Sequence, residues 1–165
     1  MWAINPKGDS LQNLIQRMRR FASDGFTARN IGFEFRAPEL DRHVEMGADL
    51  RREVFLLFKE AVNNVLRHST CTRAEIEVNF DGHDVCLRVS DNGKGFDTTG
   101  DSDGHGLVSI RQRARNLAGT LEVTSAPGNG TTIALRAPLS RAGTMRPYIH
   151  RQSRGTTWFN RVRSR

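Results

Sequence analysis

The sequence predicts an α/β fold, a two-layer sandwich of a mixed β-sheet covered by helices. Three observations carry this expectation. Five short runs alternate apolar and polar residues, four of them paired by turn signals into two hairpins; three stretches carry apolar residues at helical spacing; and the two kinds of segment interleave along the chain. The order is helix, strand, helix, hairpin, loop, helix, hairpin.

Asp9 or Ser10 can cap a first helix, with Leu11, Leu14, Ile15, Met18, Phe21 and Ala22 along one face, running out near Ser23-Asp24-Gly25. Ile31, Phe33 and Phe35 alternate with polar neighbours over 30–37, a strand that Pro38 ends. A connection follows over 38–48. A long helix is expected from Asp49 to His68, with Val54, Phe55, Phe58, Ala61, Val62, Val65 and Leu66 as its apolar stripe. Glu60 and Asn64 lie one turn apart, away from that stripe. Residues 73–80 and 84–90 are two alternating runs joined at Asp81-Gly82, a hairpin signal. Residues 91–106 hold five glycines, with Phe96 as the only large apolar side chain, and read as a mobile loop. Leu107, Ile110 and Leu117 suit a helix that Gly119 is placed to stop. LEVTS (121–125) and TTIALRA (131–137) form the last hairpin across the turn APGNG. The second sheet face needs cover from the N-terminal segment, a partner, or polar alternation.

Composition narrows the function classes. With 165 residues, 37% of them hydrophobic and 26% charged, the chain is neither collagen-like, disulfide-scaffolded nor wholly disordered. No apolar run approaches the ~18 residues of a membrane helix, and no secretory signal opens the sequence, so a cytoplasmic location is expected. Cys71 and Cys86 lack metal-ligand spacing and read as buried thiols. The net charge of +7 belongs to one end: from Leu139 onward there are seven arginines and no carboxylate, against 18 basic and 18 acidic residues in 1–138. A neutral body argues against a broad nucleic-acid-binding face. The basic tail, 139–165, is expected to be disordered.

Familiar phosphate and metal motifs are absent. There is no G-x-x-x-x-G-K-[ST] and no G-x-G-x-x-G, and Gly93 cannot supply the third ligand of a calcium loop. Three other pieces remain. In KEAVNNVLRHS (59–69), Asn64 offers a hard oxygen for Mg²⁺ one turn from the carboxylate of Glu60, with Arg67 and His68 a turn further on for phosphate. In VSDNGKGF (89–96), Asp91 ends a strand where its carboxylate can accept a hydrogen bond from a base amino group, and Gly93 and Gly95 let the backbone approach a ligand. In GHGLVSIRQRA (104–114), a glycine pair leads into a helix whose free N–H groups suit an anion.

In this order and spacing the three pieces resemble the N-box and the two glycine boxes of the GHKL, or Bergerat-fold, ATPases. Within that group residues 25–138 look most like the ATP-binding catalytic domain of bacterial sensor histidine kinases that pair with NarL-type response regulators. GTT at 130–132 fits the last strand pair of that domain. Residues 1–24 look like the end of a second dimerisation helix and its linker, so the chain looks N-terminally truncated relative to the family. The resemblance implies ATP and Mg²⁺ as cofactors, Asn64 as the Mg²⁺ ligand and Glu60 as the catalytic carboxylate near the γ-phosphate. Arg67, His68 and Leu107 would belong to the nucleotide site, and Asp91 would hold the adenine amino group. Gly93 and Gly95 would line the adenine pocket, Gly104 and Gly106 would close onto the phosphates, and Thr132 would lie near the adenine edge. The implied partners are a phosphoacceptor and dimerisation domain, supplied in trans or upstream, and a response regulator. Nucleic acid is not expected, and an uncovered first-helix stripe would favour weak self-association. Two other readings stay open: a free-standing serine kinase of the anti-sigma-factor type, and a non-catalytic ATP-binding module whose basic tail binds nucleic acid.

Overall fold

Residues 11–39, 46–98 and 105–139 are described by the structure, a computed structural model. They form α1 (Leu11–Thr27), β1 (Gly32–Arg36), α2 (Ala48–Asn64) continued by a π-helical turn over Val65–Ser69, β2 (Arg73–Phe80), β3 (Asp84–Asp91), α3 (His105–Asn116), β4 (Thr120–Ser125) and β5 (Thr131–Pro138). The strands build a five-stranded sheet in the order β1-β2-β3-β5-β4. It is parallel between β1 and β2 and antiparallel elsewhere, as the α/β reading requires. Residues 1–10, the 40–45 stretch of the connection, Gly104 and the arginine-rich tail beyond Leu139 lie outside the described residues.

Alternation decides which sheet face the helices cover. Ala74, Ile76 and Val78 of β2, Val85, Leu87 and Val89 of β3, and Ile133, Leu135 and Ala137 of β5 are all buried on one face. They meet Phe26 of α1, Leu57, Phe58 and Ala61 of α2, and Ile110 of α3 in one apolar cluster. Each large side chain buried there contributes about 1.5–3 kcal/mol relative to exposure. Leu57, which lies outside the expected stripe, is fully buried, while Phe55 and Leu66 sit at its edge.

The opposite face is covered by its own charges. Arg36 bonds Glu77 at 3.0 Å and Glu34 at 2.7 Å. Arg88 meets Glu77 at 3.5 Å, and Arg73 meets Glu34 at 3.3 Å and Glu75 at 3.4 Å. Arg136 bonds Asp84 at 2.6 Å and also pairs with Asp81. Of the three covers open to the sequence, polar alternation is the one found. Cys71 is buried as expected, but Cys86 is only half-buried, because its position in β3 puts it on this outer face beside Arg136. Partial burial still pushes the Cys86 thiol pKa up, with Asp81 adding to the effect.

α1 departs from expectation twice. Its helix does not stop at Gly25 but continues to Thr27 and closes at Asn30, which takes the left-handed conformation (φ 57°) while Ile31 N–H donates to Phe26 O at 3.0 Å. A side chain at Gly25 would instead crowd Leu66, so this glycine serves helix packing. The α3 stop is shifted similarly: Ala118, not Gly119, takes the left-handed position (φ 52°). Second, the α1 stripe is not left uncovered. Leu11, Leu14, Ile15, Met18, Ala22 and Phe26 are buried in the same cluster as the sheet, which removes the apolar face on which self-association was expected. A boundary at residue 24 would cut through this helix. Leu14→Ala should therefore destabilise the whole fold by about 2–3 kcal/mol through the cavity it leaves, measured as a single cooperative shift in denaturant midpoint.

Candidate functional site

The π-helical turn after α2 sets the position of the site. Ser69 Oγ donates to Val65 O at 2.8 Å and accepts from Cys71 N–H at 3.2 Å, and Thr70 then reverses the chain in a left-handed conformation (φ 52°). This geometry turns the Ser69 carbonyl towards the loop after β3, where Lys94 N–H donates to it at 2.8 Å. The contact is close enough that a Cβ at Gly93 would overlap the Ser69 carbonyl oxygen, so only glycine fits there. Asn92 anchors the other side of the loop: its Oδ1 accepts from Thr72 N–H at 3.0 Å and Arg73 N–H at 2.9 Å, and its Nδ2 donates to Thr72 Oγ1 at 2.9 Å.

Asp91 stands at the end of β3 on the helix-covered face, in the alternation of Val85, Leu87 and Val89. Its Oδ1 accepts from Gly93 N–H at 2.8 Å, and the backbone N–H of Thr131 also serves the carboxylate. Partial burial pushes the Asp91 carboxyl up from the ordinary aspartate value, and these two N–H groups only partly offset that. A carboxylate held at a cost to its charged form is a common mark of a functional site.

Asn64 closes the last turn of α2, half-buried, with Glu60 one turn earlier and also half-buried. The first turn of α3 packs directly on Asn64, because a Cβ at Gly106 would lie 2.5 Å from Asn64 Oδ1. The structure thus brings together Asn64 and Gly106, and ties the Asp91–Gly93 loop to the end of the same helix through Ser69. Gly95 lies further along that loop, in the left-handed region (φ 58°) against Ala126. Arg67 and His68 lie exposed on the π-helical turn.

Two expected site residues are placed elsewhere. Leu107 is 8% exposed and packs in the core with Ile110 and Ala114, since helical spacing puts all three on the inner side of α3. Thr132 pairs with Ser90 and Thr124 on the outer face, opposite to Asp91. The neighbour of Asp91 is Thr131, its cross-strand partner on the inner face. Parity carries the signal for this: Thr131 alternates with Ile133 and Leu135, as Asp91 does with Val89 and Leu87. Beside Thr131 sits Ser125, at the end of β4, with the two hydroxyl oxygens 3.0 Å apart.

A helical layer over a mixed sheet, with a strand-end carboxylate beside a glycine-dependent loop and an asparagine under a helix start, defines a class of nucleotide-dependent ATPase folds. Residues 49–141 match the family described as histidine kinase-, DNA gyrase B-, and HSP90-like ATPase, and the chain belongs to that family. Among curated relatives, Sensor protein VraS of Staphylococcus haemolyticus is 39% identical over 90 residues, 53% of this chain and 26% of that protein. Its namesake in Staphylococcus aureus strain COL is 36% identical over 89 residues, with the same coverage. The chain spans about a quarter of the length of these relatives. Solved structures share the fold. The histidine kinase domain of the Erythrobacter litoralis EL346 blue-light activated kinase superposes with a TM-score of 0.60 at 24% identity, covering 76% of this chain and 61% of that one. The catalytic domain of histidine kinase ThkA superposes with a TM-score of 0.64 at 18% identity, covering 79% and 94%. Among the described residues no helix is long and apolar enough to cross a membrane.

Proposed function

We propose that this chain is the Mg-ATP-binding catalytic domain of a two-component sensor histidine kinase. It would transfer the ATP γ-phosphate to a histidine for relay to a response regulator of the NarL type. The observation that carries the reading is the placement of Asp91: a half-buried carboxylate at a strand end, beside a loop pinned by Gly93 to the helix that ends in Asn64. Such a carboxylate suits the amino group of adenine, because an N–H donor restores what burial removes. Gly93 and Gly95, which would line the adenine pocket, let the loop beside it close on Ser69 and Ala126, where a Cβ would collide with backbone.

The residues present suit a divalent cation at the phosphates. The Asn64 amide oxygen is a hard ligand, and Mg²⁺ needs only one or two from the protein, the rest coming from phosphate and water. Bound there, the ion would supply neutralisation of phosphate charge. Glu60, one helical turn away, faces the same side and would orient or deprotonate the accepting imidazole. The first turn of α3, brought against Asn64 by Gly106, would offer the phosphates backbone N–H groups that have no intrahelical partner, and Gly104 is proposed to bind them too. Arg67 and His68 would add positive charge at the rim. Phosphoryl transfer asks little more of a protein than positioning and electrostatics.

The acceptor histidine is assigned to a dimerisation domain, in trans or elsewhere in the polypeptide. Of the histidines whose side chains are described, His68 is exposed on the π-helical turn and His83 on the β2–β3 hairpin. Neither stands on a helix opposite the site. The purified chain with labelled ATP and a separately supplied dimerisation domain should give acid-labile label on that domain and none on itself. Acid-stable label would point to serine, and stoichiometric acid-labile self-labelling would overturn the assignment of the acceptor. The metal role has its own test. Asn64→Asp should leave metal-free nucleotide binding within about twofold and change mainly the Mg²⁺-dependent part, because it alters charge at the cation and not at the base. Calorimetric titration with ATP, with and without Mg²⁺, reads the two parts separately.

A further inference from the structure

Four groups at the turn end of the β4–β5 hairpin have hydrogen bonds whose direction can be deduced. Ser125 Oγ accepts from Phe96 N–H at 2.9 Å and lies 2.9 Å from Gly130 O and 3.0 Å from Thr131 Oγ1. Phe96 N–H can only donate, and Gly130 O can only accept. A serine hydroxyl has one proton and two lone pairs. All three contacts are satisfied together in one arrangement alone: Ser125 gives its proton to Gly130 O, and Thr131 gives its proton to Ser125. The Thr131 hydroxyl is then left with lone pairs and no proton to offer.

Thr131 is the cross-strand partner of Asp91 on the inner face, where paired Cβ atoms lie about 4.5–5.5 Å apart. Two neighbouring acceptors, the Asp91 carboxylate and the Thr131 oxygen, therefore share the inner face, the carboxylate taking the backbone N–H groups of Gly93 and Thr131 and the Thr131 hydroxyl having no proton to give. We propose that Ser125 is a positioning residue that fixes the Thr131 hydroxyl as an acceptor. It thereby sets the preference of the site for a base edge bearing an amino group over one bearing a carbonyl. The inference rests on the nucleotide reading above and adds to it the source of base selectivity. An amino group brings two N–H donors to two acceptors. A carbonyl brings a third acceptor to the same place, and Thr131 has no proton to give it. Ser125 acts at one remove: without it, the Thr131 hydroxyl is free to rotate and offer its proton to that carbonyl.

The test compares ATP with inosine triphosphate, which exchanges the 6-amino group for a carbonyl and places a proton on N1, by competition binding to the full chain; because both nucleotides stay the same across the variants, the change in their ratio reads Ser125. Ser125→Ala should lower the ratio of the two affinities roughly fivefold, in line with one redirected hydrogen bond. Ser125→Thr keeps the hydroxyl and should retain the wild-type ratio. Ser125→Cys, close in shape but a poor acceptor, should lower it and serves if the alanine variant does not fold. In a Thr131→Val background, Ser125→Ala should change the ratio no further. Equal weakening of both nucleotides by Ser125→Ala, or an undiminished change in the Thr131→Val background, would overturn the role of Ser125 while leaving the nucleotide site standing. Failure of the wild-type chain to bind ATP at all would overturn both together.

Discussion

Asp91→Asn should weaken nucleotide binding by roughly 10- to 100-fold, while leaving the unliganded fold as stable as wild type, or more so. The two halves of this result have one cause. Burial raises the Asp91 carboxyl pKa in the folded chain, with the Gly93 and Thr131 N–H groups opposing it. A carboxyl whose folded pKa lies above its unfolded value contributes stability below the unfolded pKa, and this is lost as pH rises through the folded pKa. At neutral pH the ionised Asp91 therefore weighs against the fold. Asparagine keeps an oxygen for Gly93 N–H and carries no charge, so the penalty disappears. Comparing melting of the two proteins from about pH 4 to pH 7, the wild type should lose ground to the variant as pH rises, then hold a constant gap. The binding half has the opposite sign. Replacing a charged acceptor of the base amino group with an amide should weaken ATP roughly 10- to 100-fold, with Mg²⁺ or without it. Equal losses of metal-free binding in Asp91→Asn and Asn64→Asp would contradict the separate roles assigned to them.

Gly93→Ala should strongly destabilise the fold. Its Cβ would overlap the Ser69 carbonyl oxygen and crowd Asp91 Oδ1 at 2.8 Å. Neither neighbour is a free side-chain end. The Ser69 carbonyl is held by Lys94 N–H and belongs to a buried residue, and Asp91 Oδ1 is held by Gly93 itself. Relief requires backbone movement that breaks the strap between the π-helical turn and the loop. A cost on the order of 4 kcal/mol follows from backbone strain added to lost hydrogen bonds. At roughly 2–4 °C per kcal/mol for a chain of this size, the melting temperature should fall by about 10 °C. Gly82→Ala is the control: it lies in the left-handed region (φ 92°) with nothing within 4 Å of the added methyl, so only conformational strain remains, about 1 kcal/mol.

Much of this arrangement was legible in the sequence because it rests on period and parity. The alternation over 73–80 and 84–90 gave both hairpin strands nearly to the residue, and the α2 stripe placed Glu60 and Asn64 on one side. Parity also separates Thr131 from Thr132, since the threonine facing Asp91 must alternate with Ile133 and Leu135, whereas the resemblance implies Thr132. The signal for Ser125 was of the same kind, because Leu121, Val123 and Ser125 share a face. Other features depend on contacts far apart in the chain and have no local signature. The π-helical turn presents its Ser69 carbonyl to the N–H of Lys94, in the loop after β3. The continuation of α1 through Gly25 follows from its approach to Leu66, and the fate of its apolar stripe was set by α2 and the sheet. The outer face was open to three covers until the register aligned Arg36, Glu77 and Arg88 across three strands.

The most direct test of the central claim, that the Asp91 loop and the Asn64–Gly106 contact form one Mg-ATP site, is the thermal stability of the full chain against nucleotide. Mg-ATP at a hundredfold over its dissociation constant should add about 2.7 kcal/mol. The rise should be larger with Mg²⁺ than without it in wild type, and cut to about 0.4–1.4 kcal/mol in Asp91→Asn at the same nucleotide concentration. An unchanged melting temperature for the wild-type chain at millimolar Mg-ATP would contradict the claim.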